Sequence, residues 1–234
     1  MAGNPQHIIQ RGNNRAACFF AEADYVAYLH WLHEGAHHHG AAIHAYCLMT
    51  NHVHLLVTPE SPGAVSRLMQ HVGRHYVNYA NKVYRRSGTL WEGRFKSCLV
   101  DSEAYLLKLY QYIEYNPVRA GMVVNPEDYR WSSYRHHGCA EAMTYLFDHS
   151  CYERLGASLQ ERAEAYRGAC TAMLDAGQLD TIRQAVNQGL VLGSERFKDQ
   201  IELAMQRRTR PGMGGRPSKE KNITTEGEQY GLDV

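Results

Sequence analysis

The hydrophobic pattern of the first 120 residues switches between a period of two and a period near 3.6, and each switch falls at turn-forming residues. Residues 6–10 (QHIIQ) are short and β-prone, and RGNN after them supplies turn chemistry, which predicts a strand and then a loop. Asp24 can cap a helix in which Tyr25, Tyr28, Leu29, Leu32 and Ala36 recur at helical spacing until Gly40 stops it. Residues 42–48 (AIHAYCL) and 52–58 (HVHLLVT) read as two strands of a hairpin turned by Met49, Thr50 and Asn51. From Pro62 a long helical pattern runs through Val65, Leu68, Met69, Val72, Tyr76 and Tyr79 to Arg86, closed by Ser87 and Gly88. Residues 94–100 (RFKSCLV) alternate as a fourth strand, and Asp101 or Ser102 caps a further helix that ends at Asn116, just before Pro117.

The order β-α-β-β-α-β-α contains two split βαβ units. It predicts an α+β fold on the ferredoxin-like plan, one antiparallel βαββαβ sheet with helices packed on a face, followed by the helix that ends at Asn116. Past Pro126 the pattern changes: Trp131, Ser132, Ser133 and Tyr134 suggest a short turn-rich cover, and residues 159–176 and 181–186 read as helices. From Arg207 the chain runs RRTRPGMGGRPSKEKN and then turns acidic, with too little apolar content to fold alone. The expected organisation is a domain over residues 1–135, a helical extension over 136–206 and a basic flexible tail over 207–234.

Composition narrows the class. A chain of 234 residues with 44% hydrophobic content can bury one substantial core and carry an extension, but is short for two full catalytic domains. Its six cysteines are scattered with no close pair, which indicates neither a zinc ribbon nor a disulfide framework and fits a reducing cytoplasm. MAGNPQHIIQRGNN has no apolar core behind a basic leader, and no stretch approaches the roughly 20 apolar residues that span a bilayer. A soluble, cytoplasmic protein without a membrane partner is expected. The net charge of +1 taken alone argues against nucleic acid, but its distribution does not. Between Arg67 and Lys96 the basic residues are Arg67, Arg74, Lys82, Arg85, Arg86, Arg94 and Lys96, against Glu92 alone. Tyr76, Tyr79, Tyr84, Trp91 and Phe95 are interleaved with them, the mix by which single-strand binders contact phosphates and stack bases. The plainer reading is a solvated helix face with a few core aromatics.

Two constellations carry chemistry. His52-Val53-His54 lies on a strand, so both imidazoles project from one face while Val53 and Leu55 point to the other, a ready metal half-site. Imidazole suits Mn, Zn, Cu, Fe or Ni better than Mg, although Mg can be accepted where substrate phosphate completes the shell. In a chain with 14 histidines an H-x-H can also arise by chance. The second is the helix YLLKLYQYIEYNP, with four tyrosines. At about 100° per residue, Leu106, Leu109, Tyr110 and Ile113 form the apolar stripe, which puts Tyr110 in the core and Tyr115 nearly opposite, toward solvent or DNA. Tyr112 flanks the stripe one turn before Asn116, so a phenol and an amide share a helix edge and could both reach a metal site on the sheet.

Four motifs in order, QRGNNR (from Gln10), YCLMTNHVHLLV (from Tyr46), LWEGRFKS (from Leu90) and YIEYNPVRAGMV (from Tyr112), resemble the REP-associated tyrosine transposases. These are relatives of the single-tyrosine HUH transposases of the smallest bacterial insertion sequences. The likeness covers roughly the first 135 residues, and the region ending in GRPSK also resembles longer members of the group. It implies that His52 and His54 bind a divalent metal, Mg or Mn, that Tyr112 is the nucleophile and that Asn116 is the assisting polar residue that completes the shell. It further implies a metal-dependent transposase that cleaves and rejoins single-stranded or hairpin DNA through a 5′-phosphotyrosine, working as a monomer or homodimer on palindromic hairpins beside a short guide sequence. Arg94 and Lys96, on alternate strand positions, and Arg11, Asn13 and Arg15, near the first loop, are candidate DNA contacts. Residues 214–217 (GGRP) resemble the core of a minor-groove hook but lack the Arg that normally precedes its second glycine.

Two rivals remain open at the level of the residues. A ferredoxin-like sheet could bind single-stranded nucleic acid through Tyr and Phe without cutting it. A metal hydrolase could use water, with Tyr112 structural; His52 and His54 would then need a carboxylate, and Glu60 is the nearest in sequence. The product separates all three: a covalent adduct, plain hydrolysis or neither.

Overall fold

The computed structural model describes residues 1–212. β1 (Gln6–Arg11) leads through a tight turn at Asn13–Arg15 into α1 (Glu22–His39), β2 (Ala41–Met49), β3 (His52–Pro59), α2 (Ala64–Val83), β4 (Lys96–Val100) and α3 (Ser102–Glu114). A one-turn α4 (Asn116–Arg119) follows, then α5 (Tyr134–Cys139), α6 (Ser150–Glu153), α7 (Leu159–Cys170), α8 (Ala176–Gln188), β5 (Val191–Leu192) and α9 (Glu195–Met205). The order β2-β3-β1-β4 is antiparallel throughout, as two split βαβ units require. β5 then pairs parallel with β4, so the α+β fold has a five-stranded mixed sheet. No helix among the described residues is long and apolar enough to cross a membrane.

Alternation along the strands sorts side chains onto two faces. Ile8, Val53, Leu55 and Val57 pack under α1 and α2 against Tyr28, Leu32, Leu68, Val72 and Tyr76. Cys47, Leu56 and Cys98 face the other way and meet Leu106, Leu109 and Ile113 of α3, Tyr166 of α7 and Val186 of α8. Register places His54 between Ile9 and Cys47, and His52 between Arg11 and Met49, on this second face.

Several elements differ from the expectation for a stated reason. α1 starts two residues before Asp24, whose carboxylate caps it from inside the first turn by accepting the N–H groups of Phe20 and Ala21 at 2.7 and 2.9 Å. The same carboxylate accepts the hydroxyls of Tyr79 and Tyr84, and Tyr76 and Trp91 are core. Tyr76, Tyr79, Tyr84 and Trp91 therefore hold the α1–α2 layer together, and of the aromatics in the basic stretch Phe95 alone lines a cavity. The fourth strand begins at Lys96, leaving Arg94 in the preceding loop. The helix expected over 159–176 ends at Cys170, and Asp175 with Gln178 forms a capping box that starts α8. Tyr115 packs edge-on against Tyr134 at 5.6 Å and is half-buried, so it is not a solvent-facing residue.

The segment from residue 131 onward is integrated with the sheet. Residues 131–133 lie along the free edge of β2, with Leu48 N–H donating to Trp131 and Ser133 N–H donating to Tyr46. α8 packs on β4, and β5 extends the sheet. In the expected tail, Thr209 is buried and Arg210 pairs with Glu195, Asp199 and Glu202 of α9. The GGRP segment lies outside the described residues.

Candidate active site

A cleft of about 570 Å³ opens on the second face of the sheet and brings together side chains far apart in sequence. β3 supplies His52 and His54, β1 and its turn supply Arg11 and Arg15, and Arg94 and Lys96 come from the start of β4. Tyr112 and Asn116 reach it from α3 and α4, and Arg183 and Asn187 from α8. Asn13, exposed on the turn, does not line it. Five cations (Arg11, Arg15, Arg94, Lys96 and Arg183) face a single acid, Glu92, so the cleft favours a polyanion.

The two histidines are held in a defined orientation. Their rings lie 5.0 Å apart, and His52 Nδ1 donates to Asn51 Oδ1 at 2.7 Å, which leaves Nε2 with its lone pair. His54 Nδ1 lies 3.1 Å from Nε2 of His7, a buried residue two positions from Ile9 on the same face of β1. A proton given by His54 Nδ1 to that nitrogen leaves His54 Nε2 free as well. This is the pattern in which a ligating imidazole is fixed through its other nitrogen. Burial, and then the neighbouring Arg11, lowers the His52 pKa to about 4. Burial also pushes His54 well down, with His52, His7 and Arg119 adding to it. Both rings are therefore neutral and able to ligate at pH 7.

Tyr112 is 5% exposed, its ring edge-on to His54 and His7 with both centroids at 5.7 Å. The helix ends here because Pro117 offers no N–H to the turn before it. The Arg119 guanidinium donates to the Tyr112 carbonyl and lies over the phenol ring, 4.7 Å from the centroid. Burial raises the Tyr112 pKa, while Arg119 and Arg183 draw it back. The Asn116 amide nitrogen is buried without a partner. A half-turn of the amide puts its oxygen in that position. Two free imidazole nitrogens and an unpaired amide beside them fit a divalent ion, and because all three donors are neutral, the ion would keep its charge for a phosphate.

His136, His137 and Asp148 form another group with ligand-type atoms close together, but none of them lines the cleft. There His136 Nε2 lies 2.8 Å from Asp148, and its Nδ1 accepts the Met143 N–H.

Residues 4–116 match the family model described as "Transposase IS200 like". That match spans 113 of the chain's 234 residues and takes in the sheet strands β1–β4 with α1, α2 and α3. Among solved structures, the chain is similar to a REP-associated tyrosine transposase bound to a REP hairpin, at 16% identity and a TM-score of 0.53, covering 64% of this chain and 87% of that one. A putative transposase from Deinococcus radiodurans R1 matches at 23% identity and a TM-score of 0.36, covering 47% of this chain and 88% of that one. No curated protein matches the chain at a significant level.

The sequence pattern marked His52, His54, Tyr112 and Asn116, and the fold gathers all four in one cleft with Arg11, Arg15, Arg94 and Lys96. It missed His7, Arg119, Arg183 and Asn187. His7 could have been found from the period-two parity of QHIIQR, which puts it on the face of Ile9 and Arg11. Arg119, three residues past Asn116, also lay within a helical turn of a marked residue. Arg183 and Asn187 are spaced i, i+4 on one helix edge, but only tertiary packing brings that edge to β4.

Proposed function

We propose that the chain is a metal-dependent transposase and endonuclease that cleaves single-stranded or hairpin DNA and rejoins it through a 5′-phosphotyrosine on Tyr112. The observation that carries this reading is the buried Tyr112 phenol set edge-on against His54 inside a cleft lined by five cations. The solved transposase of similar fold is bound to a REP hairpin, which supports a hairpin partner here.

His52, His54 and Asn116 would hold Mg or Mn, which when bound polarises the scissile phosphate and stabilises the leaving oxygen. The cleft cations Arg11, Arg15, Arg94 and Lys96 seat the strand. Arg119 and Arg183 counter the charge that grows on the phenol oxygen as it attacks phosphorus in line. The bond from phosphorus to the 3′-oxygen breaks, the bond to the Tyr112 oxygen forms, and the phenol proton ends on the released 3′-hydroxyl. A 3′-hydroxyl attacking the phosphotyrosine reverses these bond changes and rejoins a strand without ATP. One chain carries every group in this scheme, so a monomer suffices for it.

The test is incubation with Mg or Mn and labelled single-stranded hairpins from the flanks of its own gene, followed by a denaturing gel. A shifted band that is lost in Tyr112→Phe and in His54→Ala supports the scheme. Plain cleavage without a shifted band points to hydrolysis, and binding without cleavage to a non-catalytic single-strand binder.

A further inference from the structure

A second cavity, of about 930 Å³, opens on the α2 side of the sheet between β1, β4 and the first turns of α2. Its floor is unusual in one residue. Gln10 shares strand parity with Ile8, a core residue of that face, yet it is an amide, only 8% exposed, and its Oε1 is buried without a hydrogen-bond partner. An amide placed there surrenders its hydration and receives nothing in the free protein, the situation that a ligand resolves. Around it stand the hydroxyls of Ser66 and Ser97, the amide of Gln70 and the half-buried ring of Phe95. Arg94 makes no ion pair among the described residues and lines both this cavity and the cleft that holds Tyr112. Arg67, at the opposite rim, is already tied to Pro62 and Ser61.

Arg94 therefore stands between the cleft that holds Tyr112 and the cavity that holds Gln10. We propose that this cavity reads one unpaired base of the substrate strand beside the cleavage position, Gln10 pairing with the base edge and Phe95 offering a stacking face. A carboxamide presents an acceptor next to a donor, the complement of the adenine N6 and N7 edge, so adenine is the preferred base. The aromatic face adds affinity without choosing among bases. The proposal rests on the transposase reading for the nature of the strand, but base reading by Gln10 is separable from chemistry at Tyr112.

The test uses the full chain carrying Tyr112→Phe, so that binding is measured without adduct formation. Its probes are single-stranded oligonucleotides from the gene's own flanks, with each position near the cleavage site replaced first by an abasic residue and then by each other base. One position should stand out, with adenine bound roughly 5- to 150-fold better than its replacements. Adding Gln10→Met should erase that preference while leaving the responses at other positions in place. The same change should leave the thermal midpoint equal or higher, because an apolar side chain of similar length suits the site better than an unpaired amide; a structural Gln10 would lower it. Unchanged base preference in Gln10→Met overturns the proposal, as does a preference lost together with a lowered midpoint. If the wild type forms the adduct and Gln10→Met keeps its preference, only the base pocket fails. If the wild type neither binds nor cuts single strands, both readings fail.

Discussion

His54 faces the cleft with one nitrogen while its other nitrogen meets His7, a residue with no group in the proposed chemistry. Its contribution is orientation, and removing an outer partner of this kind typically weakens metal binding about 10- to 100-fold. His7→Ala should therefore loosen Mn binding by that factor in calorimetric titration, and His7→Gln, which keeps an acceptor near His54 Nδ1, should recover part of it. Equal affinity in His7→Ala and the wild type would show that His54 needs no such support. At this scale the sequence was informative wherever a local period was strict. H-x-H on a strand fixed the faces of His52 and His54, and the i, i+4 relation of Tyr112 to Asn116 fixed a shared helix edge. It was silent on which helix edge would meet which strand, and Arg183 and Asn187 were lost there.

The helix that carries Tyr112 is anchored from its opposite side. Glu114 is fully buried, and its carboxylate accepts from Ser133 and His137 at 2.5 Å each and from Tyr166 at 2.7 Å. These partners lie in the loop before α5, in α5 and in α7, so the network ties α3 to the extension. Glu114→Ala strands three buried donors and should cost about 3 kcal/mol or more in urea unfolding, the range for breaking a buried charged pair. A loss below about 1 kcal/mol would mean that the network contributes little. α8 makes the complementary contribution on the cleft side. Lys96 Nζ donates to Asn187 at 3.1 Å, and Arg183 stands beside Tyr112. Arg183 is exposed on a helix whose packing residues are Ile182, Ala185 and Val186, so Arg183→Ala should fold normally. It should slow adduct formation about 10-fold and reduce the salt slope of single-strand binding by about 0.7, the change for one lost phosphate contact. An unaltered rate and slope would remove α8 from the site. The element pattern was legible through α3 because each unit there is long and periodic. Beyond residue 135 the helices over 159–170 and 176–188 were still legible in part, but a two-residue strand, the one-turn α6, the short α5 and the capping box at Asp175 leave little periodicity to read.

The whole molecule keeps several histidines buried and neutral, which sets its response to acid. Burial lowers the pKa of His7 to about 3 and that of His44 to about 4, from an ordinary 6.5. Between pH 6.5 and 4 the unfolded chain therefore binds protons that the native state refuses. The stability from these groups is fully present above 6.5 and declines as pH falls through that window, by up to about 1.4 kcal/mol per pH unit for each. The thermal midpoint should drop between pH 7 and 5, and His44→Gln should flatten the drop; a flat profile in the wild type would contradict the burial of neutral imidazoles. At the same scale, the sheet order was legible from βαββαβ, but the fifth strand and the docking of α7 and α8 on the sheet were not. Their positions follow from long-range packing of Tyr166, Ile182 and Val186 on α3 and β4, not from any local signal.

Whether the Tyr112 oxygen carries the DNA is read directly by mass spectrometry. The wild-type chain would be incubated with Mn and a flanking hairpin, digested with trypsin, and the peptide bearing a 5′-linked nucleotide sequenced by fragmentation. The nucleotide should be found on Tyr112. A nucleotide on Tyr110 or Tyr115, or a cleaved hairpin with no modified peptide, would contradict it.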